Sequence, residues 1–165
     1  MSTLQFRREA NELTLLGADG TIIGTWDAAN NVDSHSRGPW PEGQYDFDHY
    51  GTHPDDAPNS PYGSHGIFIF DVADREGMGV HSGREDVPDG RGRGGFLHCT
   101  MGCVRTIDDA MAQLVTTHRA PIRSLRLTSR NKHPAQKWSS LASRYDSTEE
   151  CREHFCALRQ PVHRM

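Results

Sequence analysis

The run Gly66-Ile67-Phe68-Ile69-Phe70-Asp71-Val72 constrains the fold more than any other segment of the chain. Its apolar residues are β-branched or aromatic and follow one another without a polar gap, which predicts a strand buried on both faces. A strand needs partners, and the sequence offers several. Leu13-Thr14-Leu15 alternates, Ala18-Asp19-Gly20 supplies a turn, and Thr21 to Trp26 resumes extended structure, so this segment predicts a hairpin. Gln44 to Phe47, Gly77 to Ser82 and Pro121 to Thr128 add further short strands.

The intervening segments are polar and turn-rich. Asn30 to Arg37 reads as a loop, and Gly38-Pro39-Trp40-Pro41-Glu42-Gly43 is a dense turn signal. His49 to Ser64, with three prolines, reads as a long surface loop, and Glu85 to Gly95 as a flexible glycine-rich one. A helix is expected directly after Cys103, capped by Thr106 with Asp109 and burying Ile107, Met111, Leu114 and Val115. A second helix, capped by Ser147 with Glu150, carries Cys151, Phe155, Cys156 and Leu158. The expected architecture is one mainly β domain with a few helices, its β-sandwich core followed by a C-terminal helical extension over about 133–165.

The 165 residues suit a single domain. A net charge of -4 and the lack of a basic run speak against nucleic acid as a partner. No apolar stretch is long enough for membrane insertion, and Met1 to Asn11 is polar and charged, unlike a secretory signal. The expectation is a chain made in the cytoplasm. Four cysteines in a chain of this length do not make a disulfide framework.

Chemistry concentrates at Cys103. Gly102 before it permits a sharp turn and close approach of a substrate. A helix starting just behind it would present unpaired N–H groups and a positive dipole end, which favour a thiolate and an oxyanion. A nucleophilic thiol also needs a base. His81 ends a predicted strand and leads through the glycine-rich loop back to Cys103; His98, five positions upstream of Cys103, is the other candidate.

Val80-His81-Ser82-Gly83, followed after a glycine-rich gap by Thr100-Met101-Gly102-Cys103-Val104-Arg105, resembles the signature of the L,D-transpeptidase (YkuD-type) family. Gly38-Pro39-Trp40-Pro41-Glu42-Gly43-Gln44-Tyr45 resembles a second segment of that family, and the likeness spans roughly residues 12–128. The resemblance implies Cys103 as the acylated nucleophile, His81 as general base, Thr100 orienting the loop, and Gly102 and Cys103 supplying oxyanion N–H groups. Arg105 would hold the loop or a substrate carboxylate, with His98 and Ser82 also placed on the substrate side. Met101 stands where many members carry His, which leaves the base to His81 or His98. The implied substrate is the tetrapeptide stem of peptidoglycan, attacked at the diaminopimelate carbonyl with loss of D-Ala through a thioester and without a cofactor. Water, a free D-amino acid or a second stem would accept the acyl group. Short members without a signal resemble effectors of type VI secretion, which implies secretion machinery and an immunity protein as partners and a periplasmic site of action.

Other readings compete. His81, His98, Cys99 and Cys103 could form a Cys2His2 zinc site stabilising a binding module. A papain-like cell-wall peptidase or amidase also uses Cys and His, but in the opposite chain order. A wall-binding module with a decayed site is a third. Cys99 is expected as a packed thiol in preference to a regulatory disulfide partner, and Cys151 and Cys156 as structural thiols.

Overall fold

A computed structural model describes residues 1–32, 36–54, 56–117 and 122–128. The predicted C-terminal helix with Cys151 and Cys156 lies outside the described residues. Eight strands and one α-helix follow in the order β1 (Ser2–Arg7), β2 (Glu12–Leu16), β3 (Ile22–Ala29), β4 (Gly43–Gly51), β5 (Ile67–Phe70), β6 (Gly79–His81), β7 (Val104–Thr106), α1 (Asp108–Thr117) and β8 (Ile122–Thr128). Short 3-10 turns occupy Arg8–Ala10 and Gly95–Leu97.

The mainly β architecture is as the sequence predicts, and the two faces of the sandwich are joined into a closed barrel, β1-β2-β3-β7-β6-β5-β4-β8. Two strands make the joins. β3 pairs with β2 along most of its length and with β7 through Ala28 and Ala29. β4 pairs with β8 through Gly43–Asp46, then with β5 from Phe47 onward, across an irregularity between Phe47 and His49. A strand that changes partner midway must bend, and such bends turn the corner between two sheets. Closure leaves no long unpaired edge.

The predicted hairpin is present. Leu13 faces Trp26 and Leu15 faces Gly24 in the antiparallel register. Gly20 takes a positive φ of 83°, and Asp19 Oδ1 accepts from the Thr21 N–H at 3.0 Å and its hydroxyl at 2.7 Å. These are the local bonds that an Asp-Gly turn supplies.

The polar Met1 to Asn11 segment contributes a strand that the sequence reading did not single out: β1 runs parallel to β8 and antiparallel to β2, with Leu4 and Phe6 fully buried. Three expectations need correction. β4 continues to Gly51, into the segment read as loop. β5 alternates, with Phe68 and Phe70 inside and Ile67 and Ile69 partly exposed, so its outer face is not covered as the unbroken apolar run suggested. Thr106 does not cap a helix: it lies in β7, where its hydroxyl donates to the Asp27 carbonyl at 2.7 Å, and α1 begins only at Asp108. Two consecutive strand partners, β3 and β6, compete for that segment and win over local helix propensity.

The core gathers Leu4, Phe6, Leu13, Leu15, Trp40, Phe68, Phe70, Val80, Val104, Met111 and Leu114, so α1 packs its predicted apolar face inward. Val80 and Val104 point into this core from adjacent strands. Side chains alternate along a strand, so their neighbours His81 and Arg105 lie on the other face, beneath the loops.

Candidate active site

β6 and β7 run parallel, with Val80 opposite Val104 and His81 opposite Arg105. One residue earlier in the same register, Cys103 comes beside Gly79. Carried one residue beyond the printed pairs, this register makes Cys103 and His81 diagonal neighbours on one face. The Cys103 Sγ lies 3.7 Å from the Gly77 carbonyl oxygen, and the Gly79 N–H donates toward it.

Because a β-strand follows Cys103, no helix N-terminus or helix dipole acts at the thiol. This corrects the sequence expectation of a lowered thiol pKa. Burial pushes the Cys103 thiol above its ordinary value, and the Gly79 N–H and the Arg105 cation offset this only in part. The resting group is a neutral thiol that needs a base at the moment of attack.

His81 is suited to that role. It is 3% exposed, and its Nδ1 lies 2.8 Å from the Ser82 carbonyl oxygen. A carbonyl only accepts, so the neutral ring carries its proton on Nδ1 and keeps a lone pair on Nε2. Burial, and then the Arg105 cation, lower the His81 pKa to about 3. The imidazole is neutral throughout the physiological range, with a free lone pair but lowered basicity, so it can act only on a proton released as the thiol attacks. Tyr62 packs edge-on against it, ring centroids 5.2 Å apart, and the Tyr62 phenol is itself pushed up by burial and then by Cys103. Cys103, His81, Tyr62 and Arg105 thus form one cluster.

This arrangement fixes a pH dependence. With its folded pKa below the ordinary value of 6.5, His81 binds a proton more readily in the unfolded chain. Stability is therefore complete above about pH 6.5 and is lost as pH falls toward 3, by up to about 1.4 kcal/mol per pH unit. Urea unfolding of the wild type and His81→Gln should show a stability difference that shrinks on acidification across this window. A difference independent of pH would contradict a buried neutral imidazole.

Thr100 organises the nucleophile turn. Its N–H donates to the Asn31 carbonyl at 2.7 Å. Its Oγ1 accepts from the Gly102 N–H at 3.2 Å and lies 2.8 Å from the Cys103 carbonyl oxygen. Gly102 takes φ 138°, where other residues are strained, and a Cβ there would meet the Met78 side chain at 3.0 Å. Since the Gly102 N–H is bound to Thr100, it is not a free oxyanion donor, which corrects that assignment. Among the described residues the Cys103 N–H has no acceptor.

Arg105 is 4% exposed and spans the loops above the site. Its Nη1 donates to the carbonyls of Gly83 at 2.9 Å, Ser82 at 3.0 Å and Pro61 at 3.3 Å. Of its two implied roles, this geometry matches holding the loop. Ser82 is not placed to meet substrate. It is fully buried, its hydroxyl donates to Asp108 Oδ1 at 2.6 Å, and its carbonyl anchors both His81 and Arg105. Asp108, at the start of α1, also accepts from the Ser64 N–H at 3.0 Å. Its carboxyl is held below the usual range by those hydrogen bonds, against the effect of burial.

The other candidates fall farther out. His98 follows the 3-10 turn, with Nδ1 3.0 Å from the Cys99 carbonyl oxygen; burial lowers its pKa. No bond within the described residues joins either His98 or His81 to Cys103; His81 is tied to it through the β6–β7 register and the shared neighbours Tyr62 and Arg105. Cys99 is buried and disulfide-bonded, which corrects the packed-thiol expectation. It therefore offers no thiolate to a metal, and no three His, Cys, Asp or Glu side chains converge among the described residues as the zinc reading required. Met101 is 48% exposed at the tip of the nucleophile turn.

The long loop of His49 to Ser64 and the start of the glycine-rich loop are bonded to each other. Arg84 N–H donates to the Ser60 carbonyl at 3.2 Å, and Asp86 N–H to Asn59 Oδ1 at 2.8 Å. Gly63 and Gly83 make this contact possible. A Cβ on Gly63 would fall 1.9 Å from Ser82 Oγ, and one on Gly83 2.3 Å from the Ser60 oxygen.

Sequence reasoning missed Asn30, Tyr62 and Asp108. Asn30 closes the loop of Asn30 to Arg37 onto the nucleophile turn, donating from Nδ2 to the carbonyls of Gly102 at 2.6 Å and Cys103 at 2.9 Å. Nothing local marks this link, since the two carbonyls lie more than 70 positions away.

No protein-family model matches the chain, and no curated protein matches it significantly. Solved structures do. The chain resembles Bd1075 of Bdellovibrio bacteriovorus with a TM-score of 0.60 at 16% identity, over 77% of this chain and 47% of that one. It resembles an L,D-transpeptidase of Xylanimonas cellulosilytica with a TM-score of 0.52 at 18% identity, over 77% and 60% of the two chains. L,D-transpeptidase 1 of Mycobacterium tuberculosis aligns with a TM-score of 0.47 at 16% identity, over 76% and 60%. The chain spans about half to three-fifths of the length of these proteins, and the likeness is one of fold.

Proposed function

We propose that this chain is a cysteine acyltransferase of the L,D-transpeptidase kind, acting on the tetrapeptide stems of peptidoglycan. The observation that carries the reading is a His81 whose Nδ1 is anchored by the Ser82 carbonyl, on the strand that runs parallel to the one Cys103 leads into; in this reading its Nε2 is the base. The likeness of fold to a solved L,D-transpeptidase supports the substrate class.

In this reading His81 Nε2 takes the thiol proton as Cys103 Sγ bonds to the diaminopimelate carbonyl carbon. The Cys103 N–H receives the oxyanion. Collapse breaks the C–N bond, the leaving D-Ala amine takes the proton from His81, and a thioester remains. Water then gives carboxypeptidase activity, a D-amino acid gives exchange, and the amine of a second stem gives a cross-link. The neutral thiol and neutral imidazole make proton transfer concerted with attack, so no thiolate–imidazolium pair is stored in the resting site.

Incubation with tetrapeptide muropeptides, following D-Ala release and the mass of the acylated chain, tests this directly. Release with a transient thioester is the expected result. Binding to sacculi without release would favour a wall-binding module. The site of action belongs to the same proposal, together with delivery by secretion machinery and an immunity partner. Expression with and without a periplasmic signal tests it, because equal toxicity of the cytosolic form would remove the wall as target.

A further inference from the structure

We infer that Asn30 is a positioning residue that aims the Cys103 N–H into the site as the oxyanion donor. The inference rests on the acyl-transfer reading above and adds to it a residue 73 positions from the nucleophile. Asn30 closes β3 and is 8% exposed, and every polar atom of its side chain is used. Nδ2 donates to the Gly102 carbonyl at 2.6 Å and the Cys103 carbonyl at 2.9 Å. Oδ1 accepts from the Trp40 N–H at 2.8 Å and from Arg8 Nη2 at 3.3 Å. These partners also settle the amide orientation, since the Trp40 N–H can only donate and the two carbonyls can only accept.

The consequence follows from peptide planarity. The Gly102 carbonyl and the Cys103 N–H belong to one peptide unit, and no peptide bond in the described chain is cis. In a trans unit the two groups point in opposite directions. Holding the carbonyl inward on Asn30 turns the Cys103 N–H outward, on the residue that carries the thiol. Gly102 has the freedom for another orientation, being a glycine at φ 138°, so its own backbone preference does not hold this plane. Asn30 does, with Thr100 Oγ1 holding the neighbouring Cys103 carbonyl. Through Trp40 and Arg8 the same amide ties the turn to the Gly38–Gly43 segment and to the end of β1. The sequence therefore places the Gly-Pro-Trp motif and the nucleophile motif around one side chain.

Two reactions of the same thiol separate positioning from mere support. Acylation by p-nitrophenyl acetate passes through a tetrahedral oxyanion, whereas alkylation by iodoacetamide does not. Asn30→Asp keeps the acceptor for Trp40 and removes both donors; Asn30→Ala removes everything. In both variants the ester acylation rate should fall roughly 10- to 100-fold, less than the full loss of an oxyanion donor. Iodoacetamide alkylation should match that of the wild type. Equal losses in both reactions would show that Asn30 only holds the turn together, and no loss in either would remove it from the site. A wild type that alkylates but does not acylate would overturn the oxyanion assignment. A wild type that acylates with the ester but releases no D-Ala would sink the stem-peptide reading and leave this inference standing.

Discussion

If the proposed acyl transfer is this chain's reaction, Cys103→Ala is expected to abolish D-Ala release from tetrapeptide stems and to leave the fold intact. The loss should be on the order of 10^4-fold or more, as for removal of other covalent nucleophiles. In the proposed mechanism the acyl group is carried on the Cys103 sulfur, and alanine offers no atom to carry it. The stability change should stay within about 1 kcal/mol. Cys103 is only half-buried, it precedes β7 rather than packing in the core, and its side-chain hydrogen bonds are thiol contacts with backbone alone, to the Gly77 carbonyl at 3.7 Å and from the Gly79 N–H. Alanine keeps the Cβ and leaves the bonds of Thr100 and Asn30 to the backbone untouched. D-Ala release, the unfolding midpoint and the mass of the acyl-enzyme check all three parts together. Turnover retained in a folded variant would remove Cys103 from the chemistry.

Much of this site is legible in the sequence because its elements are local. The motif from Thr100 to Cys103 closes its own turn, and His81 is the last residue of the strand that pairs with β7. The hairpin at Asp19-Gly20 and the apolar face of α1 are legible for the same reason. What is not legible depends on distant partners. Leu4 and Phe6 alternate as a strand does, yet β1 is enclosed on its second side only by β8, more than a hundred residues on. Val104 to Thr106 reads as a helix start until β3 and β6 claim it from both sides. That competition also changes the chemistry. Without a helix dipole at Cys103, the thiol is raised rather than lowered, and the burden of activation moves to His81. Tyr62 and Asp108 belong to the site because the glycines at 63 and 83 let two loops meet at backbone distance.

Arg105 should prove the most costly residue of the site to replace. Three carbonyls, those of Pro61, Ser82 and Gly83, depend on its Nη1, and two of them belong to the segment that orients His81. Arg105→Met leaves those acceptors without a cationic donor in a buried place. A hydrogen bond to a charged group contributes about 1.5–3 kcal/mol, so a loss of about 3 kcal/mol or more in urea unfolding is expected. A purely structural cation would not be an efficient choice here. Burial lowers the guanidinium pKa to about 10, and its Nε is buried with no hydrogen-bond partner. Buried charges are often replaced by apolar residues at little loss when nothing else depends on them. Here the Ser82 carbonyl does depend on it, and with it the tautomer of His81. D-Ala release should therefore fall further than the stability loss explains at temperatures where the variant stays folded. The imidazole supplies the distinguishing readout. Arg105 holds the His81 pKa down, second only to burial, so in Arg105→Met the His81 titration seen by NMR should move up from about 3 toward its ordinary range. Arg105→Lys restores the charge without the planar fork, and should hold the titration lower while recovering little of the loop geometry. An unshifted His81 in a fully stable Arg105→Met variant would mean that the guanidinium neither orients nor polarises the base.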